Sequence, residues 1–449
     1  MLMAQEPIRR LIPKMALPTV LSMIITSVYN MADTYFVHYL GTSATAAVGV
    51  NSSLDSIIMM AGSFLAIGAN SYIARLLGSK EDEKASQVLS TAFFTAILTG
   101  LTVMIFGLFF MSPLVDLLGA TPTSKEYSIQ YAQYVLMAAP FMTSSFVMNQ
   151  CLRSEGSAVF SMIGMCFGGI LNIVLDPIFI FTFNMGVAGA ALATAISKII
   201  SFFILLVPYL RKNTILHLSI KNVHYSKEIM SEIAKIGAPS SMRTLLTIIA
   251  SIWMNNLAGN FSDSALAAIS VVNRIMMFPT FAIVGFGMGI QPVVGFNWGS
   301  KQYDRVKESY RFSCISGLSV MAVISGLMFI FSNTLIVLFS ENDPELVKLG
   351  TYCLRTQSAV MLIQGWVVII NSMYAGLGKA GGATLLSIAR QGICFIPLLV
   401  ILPHFFGVYG LASVQAGADV LTLFLAVPLI IKLQKELTRI ISSSGSDSI

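Results

Sequence analysis

Charge is what this chain has least of. Only 11% of its 449 residues are Asp, Glu, Lys or Arg, against 55% apolar, whereas soluble domains carry about 25% charged residues. With a mean hydropathy of +0.79, that composition excludes an ordinary soluble enzyme and implies a polytopic membrane protein. Cysteine is nearly as scarce. Cys151, Cys166, Cys314, Cys353 and Cys394 are odd in number and form neither a CxxC pair nor a Cys/His spacing, so no disulfide framework or zinc site is indicated. A nucleotide motif is missing as well. Gly376-Leu377-Gly378-Lys379 lacks the GxxxxGK(S/T) spacing of a phosphate loop and reads as a short turn. Without nucleotide, the driving force for any uphill work is an ion gradient, and no cofactor is expected beyond the coupling ion, a proton or sodium. Residues 1–14 are basic and have no apolar core of signal-peptide length, so the first span is expected to be retained.

What the chain does have is apolar runs. A spanning helix needs about 20 such residues, and twelve runs qualify: 15–37, 45–73, 87–111, 128–151, 158–182, 187–209, 237–258, 265–296, 310–332, 350–373, 382–402 and 409–431. The net charge of +6 needs no nucleic acid to account for it. Lys and Arg crowd the termini and alternate loops, as at Arg9, Arg10, Lys14, Lys80, Lys212 and Lys301, while Lys125 and Lys348 stand alone on the opposite loops. The positive-inside rule then makes both termini cytoplasmic.

The chain also repeats itself at a shift of 221. Lys14-Met15-Ala16-Leu17-Pro18 falls on Lys235-Ile236-Gly237-Ala238-Pro239, Gly78-Ser79-Lys80 on Gly299-Ser300-Lys301, and Gly186-Val187 on Gly407-Val408. The expected architecture is therefore all-α, two six-helix lobes of like topology related by a pseudo-two-fold axis along the membrane normal. The lobes are residues 1–209 and 236–449, joined by a cytoplasmic linker, 210–235. Prolines within spans mark expected bends, and Pro279 with Pro292 makes the eighth span the best candidate for a broken helix.

Against this apolar background a few polar side chains stand out. Asp33 lies inside the first span, and an Asp at a helix centre costs roughly 2.5–3.5 kcal/mol on insertion scales. Such a group is usually kept for ion or substrate handling. Asn172 and Asp176 are one turn apart on the fifth span and share a face. At 1.5 Å per residue, Asp33, Asp176 and Thr194 each sit roughly 8–10 Å below the outer end of their span. Two carboxylates in one dry site cannot both ionise without a cation, and the oxygens of Asp33, Asn172, Asp176 and Thr194 suit a proton or a hard cation such as sodium. At the shifted positions stand Met254, Ile393, Pro397 and Gln415, so the second half lacks the carboxylates.

Asn30-Met31-Ala32-Asp33, the Asn-x-x-x-Asp-Pro of Asn172 to Pro177, and the Gly-Ser-Lys loop entering the third span resemble the multidrug and toxic compound extrusion (MATE) family, over nearly the whole chain. The likeness is to its DNA-damage-inducible-protein-F-like and MepA-like bacterial branch. The resemblance implies cation coupling at Asp33, Asn172, Asp176 and Thr194, with a bend at Pro18 responding to it. It implies a secondary-active exporter of amphiphilic or cationic drugs in the bacterial plasma membrane, exchanging them for protons or sodium by rocking alternating access. A monomer is expected.

Tyr29, Asn30, Asn149, Met254, Asn255, Met277 and Gln364 are candidate substrate contacts, through Met and aromatic surfaces that suit flat apolar cations. Asp55 either lines the cavity or pairs with a base. Lys198 and Asp419, repeat equivalents, are read as structural ion-pair or snorkelling residues. Arg243, Arg274 and Arg390 either brace the second lobe or shape the cavity mouth. Those arginines keep a lipid-linked oligosaccharide flippase as the alternative. An intramembrane aspartyl protease would need a Gly-x-Gly-Asp element, which is absent.

Overall fold

The structure is a computed structural model describing residues 2–339 and 343–446. Apolar runs in lipid must satisfy their own backbone hydrogen bonds, and helices do so within one segment. Accordingly, no strand occurs among the described residues. The helices are α1 (Leu2–Gln5), α2 (Ile8–His38), α3 (Thr42–Gly78), α4 (Asp82–Phe109), α5 (Met111–Leu117), α6 (Lys125–Ser154), α7 (Ala158–Pro177) and α8 (Gly186–Leu210). There follow α9 (Lys227–Phe261), α10 (Asp263–Gly299), α11 (Tyr303–Ile330), α12 (Ser332–Val337), α13 (Pro344–Gly376), α14 (Ala380–Ile388) and α15 (Phe395–Ser446).

Ten helical stretches are long and apolar enough to cross a membrane. The last of them, Ala380–Ser443, holds two spans, because the chain turns at Gly407, where φ is 57°. Counting α9, with 35 residues, there are twelve long helices among the described residues. Large apolar side chains on their outer faces are bare, Phe109 at 82% for example, as expected where lipid is the solvent.

The chain divides into two compact units, residues 17–237 and residues 1–16 with 238–449. The boundaries fall inside α2 and α9, and 16 and 237 are themselves 221 apart. Each unit is thus completed by the helical segment that leads into the other. In the first unit, Gly68 on α3 lets the start of α9 approach backbone to backbone; a Cβ there would stand 2.1 Å from the Ile233 carbonyl oxygen. In the other, Gly289 on α10 does the same for the start of α2, with Ala16 Cα 2.5 Å from a would-be Cβ. Ion pairs Arg75–Glu232 (2.8 Å) and Lys84–Glu228 (2.7 Å) hold the first of these segments. Arg305 donates to the carbonyls of Met3 and Glu6 to hold the second.

Backbone details repeat as the sequence does. Lys80 and Lys301 both take positive φ, 65° and 59°, and Gly186 and Gly407 both take 57°. The short helices α5 and α12, not foreseen in the sequence, also start 221 residues apart.

The expected break in the eighth span is not there. α10 runs unbroken over 37 residues with Pro279 and Pro292 inside it, both buried. A proline removes one ladder bond, and here packing on α13 carries the helix through. Local distortion sits instead in two π-helical turns, Ile178–Thr182 and Ala389–Ile393.

Candidate functional site

Small residues set the approach of the helices that build the site. Gly168 brings α7 against Ser197 and Ser201 of α8, and Gly169 brings it against Ile25 and Tyr29 of α2. Asp176 closes α7, immediately before Pro177 and the first π turn. Thr194 faces it from α8, Asp33 comes from α2, and Tyr131 comes from α6.

All of these belong to the unit of residues 17–237. Asn172 Nδ2 donates to Asp176 Oδ1 (3.2 Å) and to Thr194 Oγ1 (3.2 Å). Tyr131 Oη donates to Asp33 Oδ2 (3.3 Å) and also lies within reach of Thr194. Asp33 is 8% exposed and Asp176 fully buried. The two carboxylates are close enough to feel each other's charge, and Asp55 adds to the field at Asp33.

The donors run out before the acceptors do. Asp33 Oδ1, Asn172 Oδ1, Asp176 Oδ2 and Asp55 Oδ1 are buried without a hydrogen-bond donor. A buried acceptor left unmet costs about 1–3 kcal/mol, more when charged. Protons or a hard cation would meet these oxygens, so the donor set fits either ion. Among the described residues no group of three or more His, Cys, Asp or Glu has the form of a conventional metal site.

The four residues expected to handle the ion are therefore gathered in one place. Tyr131 was missed. It enters its span near the same end as Asp33, so the depth estimate that grouped the others would have included it. A buried Tyr hydroxyl usually has a partner, which was the available signal.

Asn30 and Asn255 are exposed and Met277 half-buried. Tyr29 Oη accepts from Lys198 Nζ (2.7 Å). Gln364 is buried and donates to Thr280 Oγ1 (3.3 Å). Two positions are better described as structural. Asn149 is buried, donates to the Ser161 carbonyl (3.1 Å) and accepts from Arg153, so both ends of its amide are engaged within the protein. Met254 is packed among Ala250, Ala258, Leu399 and Val414. Pro18 is buried and lies one residue beyond the start of the unit it belongs to. Lys198 has no ion pair at contact distance among the described residues and lies within the field of Asp55. Asp419 pairs with Arg390.

Comparison with known proteins now bears on this arrangement. A family model described as MatE matches residues 18–178 and 239–401, one stretch in each half of the repeat. The chain belongs to the MatE family. It is 29% identical over 424 residues to the multidrug export protein MepA of Staphylococcus haemolyticus (strain JCSC1435), covering 94% of this chain and 93% of that one. MepA of Staphylococcus aureus (strain MRSA252) is 28% identical over 435 residues, covering 97% and 96%. Among solved structures, an outward-facing multidrug resistance MATE transporter of the MOP superfamily superposes with a TM-score of 0.91 at 24% identity, over 98% of both chains. A MOP superfamily transporter from Pyrococcus furiosus Vc1 (DSM3638), described as having a binding pocket of reverse polarity, gives 0.90 at 26% identity, again over 98% of both. The fold is that of these transporters, and the protein is a polytopic membrane protein rather than an enzyme.

Proposed function

We propose that this MatE protein is a secondary-active exporter of amphiphilic or cationic toxic compounds in the bacterial plasma membrane, exchanging them for protons or sodium. The observation that carries the reading is the cluster of Asp33, Asn172, Asp176, Thr194 and Tyr131, with three of its oxygens lacking a donor. The relatives' name, multidrug export protein, supports the substrate class.

Coupling requires that ion and drug bind two conformations differently. A monovalent ion shared by Asp33 and Asp176 halves the charge of the pair and binds unmet oxygens, so any conformation that holds them close is favoured by the ion. Loss of the ion favours conformations in which the carboxylates part or take on water. Asp33 and Pro18 share α2, and Pro18 stands beside the point where that helix passes from one unit to the other. A change at Asp33 is thereby passed along one helix to a proline that lacks a ladder bond. Rocking of the units then exposes the drug alternately to the two sides, with the basic loops and both termini in the cytoplasm.

The flippase alternative needs cationic groups for a pyrophosphate-like head. Arg390 is already neutralised by Asp419 and Arg274 is exposed, which leaves Arg243 alone, so export is the better reading.

The test is Asp33→Asn in cells and in proteoliposomes, with proton and sodium gradients imposed separately. Efflux of an apolar cation such as ethidium should fall to background with expression unchanged, and one of the two gradients should drive the wild-type protein. Wild-type-like efflux by the variant would rule out the coupling role.

A further inference from the structure

The unit of residues 1–16 and 238–449 has its own polar cluster, at the repeat counterpart of the helices that carry Asp33, Asp176 and Thr194. Arg243 stands on α9, Arg390 in the π turn Ala389–Ile393, and Gln415 and Asp419 on α15. These three elements pack directly on one another. Ala250, Met254 and Ala258 of α9 share an apolar cluster with Ala389, Leu411, Val414 and Ala418. Gly392 lets the π turn close on α9, since a Cβ there would meet Leu246 Cδ1 at 2.9 Å. Leu246 is three residues from Arg243, so Arg243 leaves α9 on the face that meets the π turn.

The charges do not balance. Asp419 forms an ion pair with Arg390 through both carboxylate oxygens. Arg243 lies within the electrostatic field of Arg390, yet among the described residues it has no ion pair and no side-chain hydrogen bond. Two guanidinium groups thus share one carboxylate. Gln415, one turn from Asp419 on the same face of α15, has its Nε2 buried with no acceptor. Hence the cluster carries one unneutralised positive charge and at least one idle donor, the reverse of the cluster around Asp33, where acceptors go unmet. A π turn is also a distortion that recurs at functional sites.

We infer that Arg243, Arg390 and Gln415, with Asp419 orienting Arg390, form a recognition site for one carboxylate on an amphiphilic substrate. Guanidinium groups favour a planar, two-oxygen anion. One net charge matches one carboxylate and would leave a diphosphate under-neutralised. The substrates are then zwitterionic or anionic amphiphiles as well as cations. This rests on the export reading above.

The experiment uses the full-length protein in nanodiscs of neutral lipid. Binding of an aromatic amphiphile bearing one carboxylate is compared with binding of its methyl ester, for wild type, Arg243→Gln and Arg243→Lys. Wild type should bind the acid at least about ten-fold more tightly than the ester, a ratio typical of one charge-assisted contact. Arg243→Gln should bring that ratio close to one, and Arg243→Lys should restore part of it. Equal binding of acid and ester by the wild type would overturn the inference. So would a loss of both ligands alike in Arg243→Gln with no recovery in Arg243→Lys. A repeat in nanodiscs containing an anionic phospholipid distinguishes the other source of such a group: if the acid preference is abolished there, the site belongs to lipid phosphate and the substrate assignment fails. Efflux of a permanent cation by wild-type proteoliposomes is measured in parallel. Its absence would sink the export reading while leaving the acid-to-ester ratio to judge the site.

Discussion

Glu155 offers the sharpest stability test, because its effect is set by pH. It follows α6 in the short connection to α7, outside the spans. Its Oε2 accepts from the backbone N–H groups of Ile215 (2.8 Å) and Leu216 (3.3 Å), pinning the polar linker to the end of α6. Its Oε1 is buried, with the Tyr209 hydroxyl near the carboxylate. Burial outweighs the two backbone donors and that hydroxyl and raises its pKa from 4.5 to about 7. Below about pH 4.5 the carboxyl is protonated in folded and unfolded chains alike. Between 4.5 and 7 the folded state keeps a proton that the unfolded state has released, so stability falls as pH rises. Above 7 the loss is complete, and at 1.36 kcal/mol per unit it amounts to about 3 kcal/mol. Glu155→Gln keeps an acceptor for Ile215 and Leu216 and removes the charge. It should unfold at the same temperature as the wild type near pH 4.5 and several degrees higher at pH 8, with a flatter pH profile. Thermal unfolding of detergent-solubilised protein from pH 4.5 to 8.5 reads this directly. A variant less stable than wild type at pH 8, or one with the same pH slope, would refute the burial argument.

Other outcomes follow from the packing and the site. Gly68→Ala should destabilise the protein by about 1–3 kcal/mol, since the backbone of Ile233 must move. Gly49→Ala, with nothing within 4 Å of its Cβ, should be neutral or up to about 1 kcal/mol stabilising; equal thermal shifts for the pair would mean that the approach at Gly68 is not tight. Tyr131→Phe should keep the fold and weaken ion-driven efflux about ten-fold, the worth of one hydrogen bond to a charged group, and an unchanged rate across ion concentrations would place the hydroxyl outside the coupling site. Met254→Asp in an Asp33→Asn background should fail to restore ethidium efflux, because Met254 is surrounded by apolar side chains; recovery would show that the two halves are interchangeable.

The parts of the site legible in the sequence were those that local arithmetic reaches. Asn172 and Asp176 share a helix face by spacing alone. Depth from the span ends placed Asp33 and Thr194 level with Asp176, and all four carry the contacts of one cluster or its field. What could not be read was which way each helix faces. Asn149 has the same composition of neighbours whether it lines a cavity or, as here, is locked between Arg153 and the Ser161 carbonyl. Met254 could equally have been a wall or a core residue. The π turns left no signature, because a fifth-residue bond changes register without changing composition. The prolines of α10 misled for a related reason: proline removes a bond, but packing decides whether the helix breaks.

The repeat separates scaffold from chemistry within a single chain. Positions that fix the backbone are alike at a shift of 221: Gly68 and Gly289 at the close approaches, Lys80 and Lys301 in left-handed turns, Gly186 and Gly407 at the reversals. The polar side chains singled out within the spans are not. Asp33 answers to Met254, Thr194 to Gln415, and Lys198 to Asp419. Packing restricts the first set in both units equally, since a Cβ at Gly68 or Gly289 strikes backbone. Local surroundings account for two of the differences, since Met254 sits in an apolar cluster and Asp419 pairs with Arg390, but they do not account for Asp33, whose Oδ1 is buried without a donor. The cluster around Asp33 is short of donors, while the cluster around Arg390 holds a second guanidinium and the idle amide of Gln415.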